Sequence, residues 1–375
     1  MLQEPVPTEI KFYCPSCNGI ILSDYFDGRV ECGHCEAACE VPKAFSEGVI
    51  IDDFSIIKRI GTGGMGSVFK AHQISLDREV ALKVLHGCFL EDLALKDEFV
   101  HEARLVAGLN HKNIVQAYKV GEDCGVLFFA MEHVQGRDLS QYLKDVPRFD
   151  EGTVRAIGIN IAAALGYAWD KCQLVHRDIK PENIMIAENG DVKLMDLGLS
   201  RKDGDDFDEE DRICGTLQYI SPEQITGAEA VDICSDIYSL GASLYQLATG
   251  KYLFNSADHM ELIEMQMNTP APLVRADAPD VSESLECIIQ KMVEKKKSKR
   301  YQDTQSLIAD LEKVTKDAPV KMKLSVSKGR KQVSKKVTAR KKEASKEDNT
   351  FKYTLIGLGI FLIAGIIVAM VIVRK

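Results

Sequence analysis

The chain has 375 residues, 45% of them hydrophobic, and a formal charge of −9 from 47 Lys+Arg against 56 Asp+Glu. That length admits two or three folded units of ~100–200 residues, and the composition excludes a disordered chain, a collagen and a small disulfide scaffold. The charge is unevenly spread: residues 320–352 carry +9, residues 374–375 add +2, and −20 is left on residues 1–319, a balance that argues against a general nucleic-acid binder.

The first element in chain order is a pair of CxxC knuckles. Cys14-Pro-Ser-Cys17 and Cys32-Gly-His-Cys35 give C-x2-C-x14-C-x2-C, a spacing that lets four thiolates close a tetrahedral Zn²⁺ site. A segment of ~40 residues cannot build a sufficient core alone, so metal ligation would supply much of its folding energy. The pattern resembles bacterial zinc-ribbon domains, over residues 1–45, and the resemblance implies short strands near Phe12–Tyr13 and Val30–Glu31, leading into the knuckles. Cys39 and His34 are surplus to the four ligands, and Cys39 reads as an apolar packing residue. The few basic residues here (Lys11, Arg29, Lys43) favour protein docking over nucleic acid.

Next comes Gly61-Thr62-Gly63-Gly64-Met65-Gly66-Ser67-Val68, a G-x-G-x-x-G-x-V run. Glycines let a backbone hairpin approach phosphates closely. A dinucleotide fold would need a helix straight after the glycines. Here the pattern reads strand, turn, strand, so the loop joins two strands. Ile60 through Gly66, with Val68, are the candidate nucleotide contacts. Lys83, in Val80-Ala81-Leu82-Lys83, is placed to pair nucleotide phosphates, against the blander reading of a solvated lysine. A helical stretch from about Glu91 to Leu109 follows. In it Glu102, rather than Asp97 or Glu98, is the candidate partner of Lys83. The strand Val126–Met131 leads into Met131-Glu132-His133-Val134, where Glu132 and Val134 would offer backbone groups to a base edge.

The decisive block is Val175-His176-Arg177-Asp178-Ile179-Lys180-Pro181-Glu182-Asn183-Ile184-Met185. Asp178 would accept the proton of an attacking hydroxyl, Lys180 would neutralise charge on a transferred phosphoryl group, and Asn183 would hold a Mg²⁺ (or Mn²⁺) ion. Asp196, in Asp196-Leu197-Gly198, would bind the ion bridging the phosphates. Taken with Ser221-Pro222-Glu223 and Asp236-Ile237-Tyr238-Ser239-Leu240-Gly241, these motifs resemble the bacterial eukaryotic-like Ser/Thr protein kinases. The resemblance covers residues 54–314. It implies an α+β, two-lobed fold, with a five-stranded N-lobe carrying one helix and a mostly helical C-lobe. ATP would sit in the cleft and protein substrates would be phosphorylated. It assigns Val68, Ala81 and Met185 to an adenine sandwich, pairs Glu223 with Arg300, and makes Lys180 a Ser/Thr-kinase feature. Leu197 stands where Phe is usual and Ser221 where Ala is, both small departures. No catalytic position is missing, which disfavours the alternative of a kinase-like scaffold acting by binding.

The loop between Ser200 and Gly215 reads RKDGDDFDEEDRIC and holds no Ser, Thr or Tyr. A loop phosphate commonly pairs with the Arg of His-Arg-Asp. Seven acids (Asp203, Asp205, Asp206, Asp208, Glu209, Glu210, Asp211) could serve Arg177 instead, or form a solvated acidic loop.

The C-terminal part holds a basic linker, residues 315–352, and an uncharged run of 21 residues from Tyr353 to Val373. At 1.5 Å per residue the run would span ~31 Å, matching a hydrocarbon core of ~30 Å. The N-terminus has no apolar stretch of a signal peptide. The basic residues before the run place the body in the cytoplasm by the positive-inside rule, which suits a single-pass protein of a bacterial inner membrane. In that compartment the eleven cysteines stay reduced. Gly365 and Ala369 form a small-xxx-small pair that would allow such helices, and so a homodimer, to pair. The two residues after the run leave no room for an outer sensor.

Overall fold

The computed structural model describes residues 7–24, 28–63, 66–85, 100, 103–197, 217–227 and 230–314. Thirteen strands are defined among them, and eight form one antiparallel sheet of order β2-β1-β5-β6-β7-β8-β10-β9. Its N-terminal members are β1 (Ile10–Tyr13), β2 (Ile20–Ser23) and β5 (Val49–Ile51). The rest are β6 (Phe54–Thr62), β7 (Gly66–Gln73), β8 (Arg78–Leu85), β9 (Ala117–Asp123) and β10 (Val126–Glu132). The last five are the strands expected of the N-lobe. The structure adds three more to their edge, because β1 pairs with β5 and β5 with β6.

The strand pattern follows from the side chains. In β7 the burial alternates along Val68, Phe69, Lys70, Ala71, His72 and Gln73, with Phe69 and Ala71 fully buried, the period of two that a strand with one covered face requires. In β8 everything from Val80 to Leu85 is buried, as expected for a strand between two neighbours and covered on both faces. A separate hairpin pairs β3 (Arg29–Glu31) with β4 (Ala38–Glu40). Cys14, Cys32 and Cys39 share one apolar core with Phe45, Phe54, Phe69 and Phe128. The knuckle segment thus has no separate core of its own, and the described residues belong to one compact unit.

Beyond β10 the chain turns helical. The longest described helix, Glu151–Cys172, begins on Asp150, whose carboxylate accepts from the Thr153 N–H, and ends on Gln173 at φ 54°, a left-handed stop. It packs beside Ile233–Thr249 and Thr304–Lys313. A small sheet of β11 (Gly136–Asp138), β12 (Ile184–Ala187) and β13 (Val192–Leu194) carries the segments on either side of the cleft chemistry. The buried Glu223–Arg300 pair is present and bidentate, at 2.7 and 2.9 Å. Among the described residues no helix is long and apolar enough to cross a membrane. The basic linker, the apolar run 353–373, the acidic loop and Glu102 lie outside the described residues.

Candidate functional site

Lys83 sits on β8 between Val68 of β7 and Phe129 of β10. It is 8% exposed, and its Nζ lies 3.0 Å from Asp196 Oδ1. Burial works to raise the Asp196 carboxyl, but the Lys83 ammonium overcomes it, with His176 and Lys180 farther out, and holds the group below the usual carboxylate range. Asp196 itself is at φ 51° and Arg177 at φ 66°. Both are left-handed positions that side chains rarely adopt, and such strain is retained where the surroundings over-determine it.

Those surroundings are specific. Met195, just before Asp196, donates its N–H to the Asn183 carbonyl at 2.9 Å, and its own carbonyl lies 2.8 Å from His176 Nε2. Buried Asp236 accepts the N–H groups of His176 (2.8 Å) and Arg177 (2.9 Å). Gln224 donates to the Arg177 carbonyl at 3.0 Å. His176 and Asp236 fall within sequence motifs that by themselves assign them no task. The structure makes them the frame that ties the Asp178 loop to the Asp196 segment. An aspartate entering an otherwise apolar helical run, Ile233–Thr249, was the available signal.

Asp178, Lys180 and Asn183 are brought together. Lys180 Nζ lies 3.0 and 2.7 Å from the two Asp178 carboxylate oxygens. Asn183 is 7% exposed and turns its amide nitrogen to the Asp178 carbonyl (2.8 Å) and carboxylate (3.0 Å). That leaves the amide oxygen of Asn183 and the carboxylate of Asp196 as hard oxygen donors, a set that suits Mg²⁺ or Mn²⁺.

On the upper side, Gly61 and Thr62 end β6 opposite Val68 and Ser67, and the Gly63 N–H reaches the Gly66 carbonyl at 2.9 Å. A Cβ on Gly66 would stand 2.1 Å from the Val84 carbonyl oxygen, so close approach of β7 to β8 demands glycine there. Gly64 and Met65 lie outside the described residues. Ile60 is 45% exposed at the rim, Ala81 is buried on β8, and Met185 is half-buried on β12. At the strand end, the N–H of Glu132 is spent on the Gln116 carbonyl, and its carboxylate holds Lys193 at 2.8 Å and the Gln116 N–H at 3.2 Å. The Glu132 N–H therefore cannot face a base, and Val134, two residues on, is half-buried.

A second centre lies at the N-terminal end. The sulfurs of Cys14, Cys17, Cys32 and Cys35 all fall within 4.8 Å of one another. The Cys14–Cys35 and Cys17–Cys32 pairs are 3.7 and 3.6 Å apart. A tetrahedron with Zn–S bonds of ~2.3 Å has S···S edges of ~3.8 Å, so these two edges match zinc spacing and the others exceed it by no more than about 1 Å. The two knuckles are built alike. Asn18 and Glu36 donate to the carbonyls of Cys14 and Cys32 at 2.9 and 2.8 Å, both from positive φ near 60°. Backbone N–H groups of Cys17 and Ser16 point at the Cys14 sulfur and lower its thiol, whereas the neighbouring thiols raise those of Cys17 and Cys35, the mutual repulsion that a bound cation would relieve. Cys39 is buried on β4, with its sulfur 3.6 Å from that of Cys14 and 3.4 Å from the Ala37 carbonyl. It stands outside the group of four.

Comparison with known proteins gives these features a family. The model "Protein kinase domain" matches residues 54–310. A serine/threonine-protein kinase pkn3 of Myxococcus xanthus is 36% identical over 69% of this chain and 49% of its own length. PrkC of Bacillus subtilis, also a serine/threonine-protein kinase, is 33% identical over 69% of this chain and 40% of its own. The chain thus spans less than half the length of these relatives. A crystal structure of the Mycobacterium tuberculosis PknI kinase domain shares the fold, with a TM-score of 0.59 at 24% identity, covering 72% of this chain and 99% of that one. A match of this extent, over the same residues that carry the Lys83–Asp196 and Asp178–Lys180–Asn183 contacts, means that the chain belongs to the protein kinase family.

Proposed function

We propose that the protein is an ATP-dependent Ser/Thr protein kinase held at the cytoplasmic face of a membrane, with a structural zinc site at its N-terminal end. What carries the catalytic reading is the Asp178 carboxylate, gripped by Lys180 and Asn183 beside the Lys83–Asp196 pair. In this reading Asp178 accepts the hydroxyl proton of a protein Ser or Thr. Lys180, two residues on, offsets negative charge at the transferred group, and Lys83 and the Gly61–Gly66 backbone orient the phosphates. Asn183 and Asp196 would hold Mg²⁺ or Mn²⁺, which would screen the charge of the phosphoryl group that ATP donates. The bacterial relatives, named as serine/threonine-protein kinases, support the choice of an aliphatic hydroxyl.

The membrane reading rests on the uncharged run 353–373 and the basic linker before it. The zinc reading rests on the sulfur spacing. The alternative, a scaffold that signals by binding alone, has no missing catalytic position in its favour. Purified chain is incubated with Mg²⁺, labelled ATP and a generic protein substrate, beside Asp178→Asn. Loss of a general base typically costs ~10²–10⁴ in rate, so the variant should fall by at least about a hundredfold. Equal labelling by the two would end the enzyme reading.

A further inference from the structure

The four-cysteine centre and the glycine loop stand at two ends of one strand ladder. Cys14 directly follows β1. Lys11 and Phe12 of β1 pair with Ile50 and Val49 of β5. Ile50 and Ile51 pair with Ser55 and Phe54 of β6. Strand β6 then runs to Thr62, where the glycine loop closes. A side-chain path runs alongside. Phe45, in the segment joining β4 to β5, stacks on Phe69 with ring centroids 5.8 Å apart, and Phe69 adjoins Val68.

A polar junction locks the ladder to the far edge of the sheet. Asp123, at the β9–β10 turn, accepts from Lys11 Nζ at 3.0 Å and from the Asp52 N–H at 2.5 Å. Lys119 of β9 pairs with the Asp52 carboxylate. The Thr8 N–H reaches the Cys124 carbonyl at 2.8 Å. The sheet is therefore fastened at both edges by the segment that ends in Cys14. Strand β5 has three residues and depends on β1 on one side. Ordering the knuckles orders β1, and through β5 it restricts the strand that presents Gly61 and Gly63.

The geometry points to thermodynamic coupling between the two sites: metal on the Cys14–Cys17–Cys32–Cys35 centre and nucleotide on the glycine loop each tighten the binding of the other, through β1, β5 and β6 as clamped together by the Asp123 junction. This rests on the zinc and ATP readings above. Coupling of this kind is reciprocal, so either ligand reports it. It also makes the N-terminal centre a means by which cellular zinc status sets nucleotide affinity.

The test uses the full-length, zinc-loaded chain. Zinc affinity is measured by competition with a chromophoric chelator, with and without saturating Mg·ADP, while ADP affinity is measured by calorimetry. Couplings between sites typically span ~5–150-fold, so ADP should tighten zinc by at least about fivefold. Equal zinc affinities overturn the inference while leaving both site readings standing. In Asp123→Asn, and in Lys11→Gln as a milder break of the same junction, zinc and ADP should each still bind but the ADP effect on zinc should shrink towards none. An undiminished effect in both variants overturns the proposed route. A chain that retains no zinc overturns the metal reading, and one that binds no ADP the nucleotide reading, each distinguishable from failure of coupling alone.

Discussion

Lys83 and Asp196 are 113 residues apart in the chain and 3.0 Å apart in the fold. Each is recognisable in the sequence by its motif, but their pairing is a product of how β8 and the segment after β13 are stacked. Glu223 and Arg300, 77 residues apart, form the pair that the family resemblance implies. Burial pushes the Glu223 carboxyl up, but the Arg300 guanidinium outweighs it, helped by Ser235, and the group lies below its ordinary 4.5. The folded state therefore gains stability from this pair above that ordinary value. The gain is lost as pH falls through the lower folded value. The remaining Arg300 nitrogens and bonds are satisfied by the carbonyls of Glu294, Cys234 and Lys295. Removing one partner of such a buried pair typically costs ~3–5 kcal/mol. Denaturant unfolding of Glu223→Gln at neutral pH should show a loss of that order, and the variant should lack the acid-side loss that this pair gives the wild type. A variant as stable as wild type at both pH values would contradict the assignment.

At the scale of elements, the edge of the N-lobe is where the sequence was least legible. The two strands flanking the glycine loop follow from local alternation, and those near Phe12–Tyr13 and Val30–Glu31 from the zinc-ribbon resemblance, which itself rests on the local CxxC spacing. The pairing of β1 with β5 is not local. Val49–Ile51 is three residues long and carries no periodicity to read, and nothing in Lys11 or Asp123 announces a contact between residues 112 apart. The consequence is a core shared by the knuckles and the N-lobe, so the two should unfold together. Phe12 is 4% exposed within that core, and truncating a buried Phe costs ~3–5 kcal/mol. Calorimetry of Phe12→Ala should show one transition for knuckles and kinase lobe, shifted down as a whole. A separate low-temperature transition confined to the knuckles would show two independent units instead.

At the scale of the whole molecule, the acidic body and the basic linker determine how the chain would meet a membrane. Each Lys or Arg near an anionic leaflet adds ~1 kcal/mol of attraction, and residues 320–352 carry twelve of them. Electrostatic attraction alone is screened by salt, with a Debye length of ~3 Å at 1 M, whereas an inserted helix is not. Full-length protein should stay with the membrane fraction through a high-salt wash. Deleting residues 353–375 should leave binding that salt removes. Release of the full-length chain by salt would count against an inserted helix.

The sequence by itself determined the chemistry. The order of the glycine run, Lys83, the Asp178 block and Asp196, the CxxC spacing, and the charge split are all properties of residue type and interval, and each can be read without coordinates because its physical demand is local. The tertiary structure alone decided the partnerships. Lys83 meets Asp196, Asp236 frames the Asp178 loop through two backbone N–H groups, and the cysteine segment is the edge of the nucleotide-binding sheet. Those contacts join residues tens to more than a hundred positions apart, where loop closure is set by the whole packing and leaves no periodic trace in the chain.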